Sequence, residues 1–159
     1  MASAAVNRSM DMSRDETGDL VLLPPLLSIS KSVRQLVGIK LADIDVAVGQ
    51  DQFLLLFENH APRSVIDIAN ALSVRASTVS KMADILERKG WVVRLPDVTD
   101  ARRVLLHLTD SGRKKAEAVR GIEQALEAEL AAAFGQDKQI AATLGRLDLV
   151  LATRLRRLR

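Results

Sequence analysis

Ser77, Thr78, Ser80 and Lys81 set three hydroxyls and one cation within five consecutive positions. Side chains this short hydrogen-bond to a base edge or a phosphate while letting the backbone come close, and the lysine supplies charge that phosphate attracts. Nineteen residues after Lys81 comes a second group, Asp100, Arg102 and Arg103. An arginine held out on an arm suits the narrow, electronegative minor groove of A·T-rich duplex. Asp100 is placed to pair with Arg102 and fix its direction; a surface ion pair stabilises by only about 0–1 kcal/mol, so its value would be orientation. Ser64 opens a third group: it suits a helix N-cap, and Asp67 three residues on completes a capping box with aspartate in place of the usual glutamate. The free N–H groups of the helix begun there can hold a phosphate. Arg75 and Arg94 complete the set of candidate DNA-binding residues.

These residues need particular elements to carry them. Val65, Ile68, Ala69 and Leu72 have helical spacing, Ser73-Val74-Arg75 makes a short turn, and a further helix carries Val79, Met82, Ile85 and Leu86 before Gly90 stops it. Two helices joined by so short a turn form a helix-turn-helix. The four apolar positions are expected to pin the second helix inward, leaving Ala76, Ser77, Thr78, Ser80 and Lys81 outward. Trp91–Leu95 and Val104–Leu108 have strand composition, and the turn-rich loop between them makes a hairpin, the β-wing. The bland reading, ordinary solvated polar residues, is even with the functional one for the helix alone. It weakens once the hairpin follows.

Before this unit, Leu26, Ile29, Val33, Val37, Leu41 and Ile44 recur at steps of 3, 4, 4, 4 and 3, which predicts an amphipathic helix after Pro24-Pro25. Gly49 breaks it, and Asp51 begins a shorter apolar helix ending near Asn59. Residues Met1 to about Leu20, small and polar without period, read as a flexible tail. After the hairpin, Thr109 can cap a helix from about Asp110 to Phe134, with Val119, Ile122, Leu126, Leu130 and Phe134 on one face. A last helix from about Asp137 aligns Ile140, Leu144, Leu147, Leu151, Leu155 and Leu158 as a narrow seam. The seam and the first helix are candidate dimer surfaces, since one unit reads about half a site; packing within the chain is the competing reading, nearly as strong for the first helix.

Composition narrows the function. The 159 residues suit one domain with helical extensions, and 48% apolar content suffices for a core. From Arg63 to His107 there are eight basic residues and five acidic ones, an excess of three that equals the net charge of the whole chain. Apolar runs are far too short to span a membrane, no signal peptide opens the chain, and a cytoplasmic location is expected. With no cysteine, a disulfide framework, a thiol trigger and a thiolate metal site are excluded. His60 and His107 lie far apart without paired carboxylates, glycines are scattered, and the serines sit in caps or on the recognition helix. No nucleophile–base pair, metal site or cofactor loop is expected, and an enzyme is not.

The segments SxxDIANALSVRASTVSKMADILERKGWVVR, DARR and LTxxG resemble the winged helix-turn-helix core of the MarR family of bacterial transcriptional regulators. The resemblance covers residues about 49–113, and the flanking helices agree in order and length. It implies a mainly α fold with a small β-wing: a winged helix-turn-helix lobe at 49–109, with dimerisation helices at 26–48 and 110–159, in one domain spanning 21–159. It implies recognition-helix contacts from Ser77, Thr78, Ser80 and Lys81, and a paired wing arginine at Asp100 and Arg102. It further implies a homodimeric, ligand-responsive repressor of a palindromic operator. A small aromatic or phenolic effector in a cleft beside the dimerisation helices would alter the spacing of the two recognition helices. Phe53, Phe57 and Trp91 can line such a cleft, although core packing is the stronger reading of each. The sequence departs from the pattern at Arg75, where a capping serine is common, at Ala101, where arginine is common, and at Trp91, where leucine is usual. Ala101 and the low net charge support an alternative, a winged helix that docks a protein rather than DNA.

Overall fold

The structure, a computed structural model, describes residues 20–57, 61–98, 100, 103–135 and 138–158. The expected tail therefore lies outside the described residues except for Leu20, as do His60, Ala101 and Arg102. Among the described residues, six helices and three strands follow in the order α1 (Leu23–Ala42), α2 (Gln50–Leu55), β1 (Arg63–Ser64), α3 (Val65–Leu72), α4 (Ala76–Arg88), β2 (Val92–Pro96), β3 (Val104–Leu108), α5 (Asp110–Phe134) and α6 (Lys138–Arg157). The fold is mainly helical with a small antiparallel sheet, as expected. Contacts divide the chain into two units, Met1–Gln35 and Leu36–Arg159. Between Leu20 and Gln35 every residue but Leu26 is exposed; Val37 and Leu41 are the first to join the core.

Two helix ends fall short of their expected places. The first helix stops at Ala42 rather than Ile44, because Asp45 adopts a left-handed φ of 57° and turns the chain so that Val46 is buried. The second starts at Gln50, with Gly49 as its N-cap at φ 97°, and ends at Leu55 rather than near Asn59. A left-handed backbone suits glycine and is tolerated by aspartate. Asp51 accepts the Gly49 N–H at 2.6 Å, closing this turn.

The core of the larger unit gathers Leu41, Phe53, Leu54 and Ile68 with Val79, Leu86, Leu106 and Val119, all fully buried. Phe53 and Phe57 pack with ring centroids 5.5 Å apart. Both phenylalanines and Trp91 are buried, so core packing is their role here. Each such side chain contributes about 1.5–3 kcal/mol of burial.

In the sheet β3 is central, paired with β2 from Val92↔Leu108 to Pro96↔Val104 and with β1 at Arg63↔Leu106 and Ser64↔Leu105. Strand β1 is only two residues long and carries no period for a pattern to reveal. Trp91 anchors the root of the hairpin. Lys89 and Lys115 hold their ammonium groups 4.5 and 5.1 Å from its ring. The same ammoniums donate to the Asp45 and Ile44 carbonyls at 2.6 and 2.5 Å, tying the turn after α1 to the end of α4 and to α5.

Candidate nucleic-acid interface

Ser64 caps α3 as its sequence indicates. Its hydroxyl accepts the Asp67 N–H at 3.1 Å and donates to the Asp67 carboxylate at 2.7 Å, and its own N–H reaches that carboxylate at 3.4 Å. These bonds, the side-chain one foremost, hold the Asp67 carboxyl below the usual aspartate range; the positive charges of Arg103 and Arg63 act in the same direction. The hydroxyl of Ser64 is thus engaged by the cap.

Helix α3 ends where the turn requires it. Ser73 takes a left-handed φ of 59° and the Val74 N–H returns to the Ala69 carbonyl at 3.0 Å. Arg75 follows in extended backbone as the N-cap of α4, with no side-chain cap bond. The helix starts directly after it, and Arg75 offers its first turn no side-chain acceptor, so the positive end of the helix suits an anion.

Along α4, Val79, Ala83 and Leu86 are fully buried and Met82 is half-buried, whereas Ile85 is 38% exposed. Ile85 was expected to face inward; at 3.6 residues per turn it lies well round the helix from Val79, while Ala83 and Leu86 return to the same face. Arg75, Ala76, Ser77, Thr78 and Lys81 are exposed, and Ser80 is half-buried. The outward front is therefore Ser77, Thr78 and Lys81, continued by Asp84, Ile85 and Arg88. Ile85 and Arg88 are additions that the apolar pattern concealed; helical phasing from Val79, rather than hydrophobicity, is the signal that finds them.

Arg94 comes off β2 against this helix. Its guanidinium donates to Asp84 at 2.6 Å, to Glu87, and to the Ser80 carbonyl at 3.5 Å. Hydrogen bonding to Asp84, then the charges of both acids, holds it firmly protonated. The group is engaged in fastening the hairpin to the middle of α4.

The hairpin narrows regularly toward its loop. The Asp97 N–H donates to the Arg103 carbonyl and the Arg103 N–H to the Asp100 carbonyl, each at 2.9 Å. Arg103 remains largely exposed, with one guanidinium nitrogen 3.9 Å from the Asp97 carboxylate. The expected Asp100–Arg102 pair involves a residue outside the described ones. At the hairpin's other end, Thr109 accepts the Gly112 N–H at 3.0 Å as the N-cap of α5 and donates to the Gly90 carbonyl at 2.7 Å. A Cβ on Gly112 would lie 1.9 Å from the Trp91 carbonyl oxygen, so α5 approaches the strand root closer than any side chain permits.

The assembled surface is a polar helix front with an uncapped start, beside a braced hairpin that carries an arginine. Its exposed hydroxyls and cations are of the kind that meet base edges and phosphates. A family model described as "MarR family" matches residues 50–104. The "Uncharacterized HTH-type transcriptional regulator YpoP" of Bacillus subtilis is 26% identical over 89 residues, 56% of this chain and 62% of YpoP, less than two thirds of that relative's length. The "Multiple antibiotic resistance protein MarR" of Escherichia coli is 29% identical over 104 residues, 65% of this chain and 72% of that one. Among solved structures, the DNA complex of MepR from S. aureus superposes with a TM-score of 0.68 at 30% identity, covering 80% of this chain and 94% of that one.

Proposed function

The chain belongs to the MarR family, and from that premise we propose that it is a sequence-specific, DNA-binding transcriptional regulator. One observation carries the reading: the buried stripe of Val79, Ala83 and Leu86 turns Ser77, Thr78 and Lys81 outward on a helix flanked by the β2–β3 hairpin. In the mechanism that follows, α4 enters a major groove. Ser77, Thr78 and Ser80 meet base edges or phosphates, and Lys81 and Arg75 neutralise backbone charge. The hairpin brings Arg102 and Arg103 to the adjacent minor groove, while Arg94 sets the angle between helix and hairpin rather than touching DNA. The N-terminus of α3, with Ser64 holding its cap, faces a phosphate.

Two copies, joined through the apolar seam of α6 and the first helix, read the halves of a palindrome, and the protein acts as a repressor released by a small aromatic effector. The relative MdtR, named a transcriptional repressor in Bacillus subtilis, supports that direction. A fluorescence-anisotropy titration against duplexes from beside the chain's own gene tests the reading. Specific binding should exceed that to random duplex by about 10³-fold or more at matched salt. Equal affinity for both, within the non-specific range of about 10⁻⁴–10⁻⁶ M, would instead favour the protein-docking alternative.

A further inference from the structure

We propose that Ile85 is a specificity-determining residue, which reads the 5-methyl group of one thymine in each half-site. This role rests on the regulator reading and adds to it a base contact made by shape rather than by hydrogen bonds. Among the large apolar side chains of α4, Val79 and Leu86 are fully buried and Met82 packs against the core. Ile85 is 38% exposed and belongs to neither group. The fold thus leaves part of this apolar side chain uncovered in a polar front.

Thr78, Lys81, Ile85 and Arg88 follow at steps of 3, 4 and 3, so they form one ridge along the helix, and all four are exposed. Seven residues make two turns to within about 20°, which turns Ile85 the same way as Thr78. A groove that receives Thr78 and Lys81 therefore meets Ile85 two turns along the helix, roughly 10 Å from Thr78.

The surroundings suit an apolar contact. Asp84 and Glu87 flank Ile85, and unmatched they would repel phosphate. Both are engaged by the guanidinium of Arg94, Asp84 at 2.6 Å, so water can leave the Ile85 side chain without stranding a lone charge. In a helix a β-branched side chain is held largely to one χ1 rotamer, so its methyl groups occupy a fixed place and lose little freedom on contact. On the major-groove edges of the four bases, only thymine presents a methyl group. Hydrogen-bonding groups line the rest, and an isoleucine set against one of those would strip it of water without replacing the bond.

Deoxyuridine scanning tests this role. Uracil pairs as thymine does but lacks the methyl group. Each thymine of a specifically bound duplex is replaced in turn, and affinity for the full chain is measured by fluorescence anisotropy. With the wild type, one position per half-site should lose about fourfold, the worth of one buried methyl group. Ile85→Ala should bind thymine and uracil equally at that position and keep the wild-type profile elsewhere. Ile85→Val should retain part of the preference, and it keeps the test decisive should Ile85→Ala fold poorly. No thymine-sensitive position, or one whose sensitivity survives both variants because Ala76 or Thr78 reads it, would overturn the role of Ile85. A uniform loss on every duplex with the thymine preference unchanged would overturn it too, and would make Ile85 a backbone contact. If no duplex is bound specifically, the regulator reading itself fails and Ile85 loses its role with it; a specific duplex with a flat uracil profile sinks the role of Ile85 alone.

Discussion

In α4, Val79, Ala83 and Leu86 recur at steps of 4 and 3 and are fully buried; in α6, Leu144, Leu147, Leu151 and Leu155 recur at steps of 3, 4 and 4, and only Leu147 is even half-covered. The two stripes have one period and different circumstances. Helix α4 finds α3, β2 and the core around it, so its apolar face is satisfied within the chain and its polar front is set by exclusion. Helix α6 leaves Leu144 53% and Leu155 59% exposed, and helix α5 behaves likewise over its final turns, where Leu130 and Phe134 are exposed after a buried Val119 and Leu126. An exposed stripe this regular is the kind of surface that a second copy covers. The lobe thus completes itself, whereas the C-terminal helices leave an apolar stripe exposed, the surface that the proposed dimer would cover.

The sharpest way to break the comparison is to delete matched leucines. Leu86→Ala should cost about 2–5 kcal/mol by urea unfolding, since it empties a packed site. Leu151→Ala should cost under about 0.5 kcal/mol in dilute protein, as an exposed substitution does. The deficit of Leu151→Ala should grow with protein concentration if a dimer is linked to stability, and the double variant Leu144→Glu/Leu151→Glu should sediment as a monomer. Equal losses in dilute protein for Leu86→Ala and Leu151→Ala would erase the distinction.

Next in size is the joint between the two regions. Gly112→Ala should destabilise by about 1–3 kcal/mol by forcing α5 away from the Trp91 carbonyl; a neutral result would show that α5 is not held against the hairpin root. On the reading front the expected effects are smaller in energy and are visible in salt dependence. Lys81→Ala, and separately Arg102→Ala, should each lower the slope of log affinity against log salt by about one. Leu151→Ala should leave the slope per bound protomer unchanged, and a slope indifferent to Lys81 would remove α4 from the phosphates.

The smallest change concerns the cap of α3. Ser64→Ala should cost about 1 kcal/mol near neutral pH. Because the cap holds the Asp67 carboxyl below its ordinary value, this contribution is complete above the usual aspartate range and is lost as pH falls through the lowered value. The melting curves of Ser64→Ala and the wild type should therefore converge in acid. A gap that persisted there would mean that the cap works without the carboxylate.

Several of these elements were legible without a structure. Val104–Leu108 and Asp110–Phe134 have the bounds that composition and capping indicate, because a β-branched and leucine run followed by a threonine cap leaves few alternatives. The Ser64–Asp67 box, the Ser73–Arg75 turn and the polar front of α4 follow from local rules of the same kind. The ends of α1 and α2 were not legible: Asp45 reverses the chain in a left-handed conformation stabilised by distant Lys89, which no local window contains. Ile85 was misjudged because hydrophobicity alone does not fix helical phase.

Sequence by itself determined the order of the helices and of the two hairpin strands, the small hydroxyls and lysine of the reading front, and the amphipathic seam at the C-terminus. Each depends on residue type, spacing and the fixed geometry of a helix or a hairpin. Only the tertiary structure decided that Arg94 braces α4 through Asp84 and Glu87, that Gly112 is required by a carbonyl 21 residues away, and that Arg63 faces a groove with a buried, unmatched nitrogen. These depend on which side chains meet across the fold. Local spacing cannot specify such meetings, because they are set by the packing of all the elements at once.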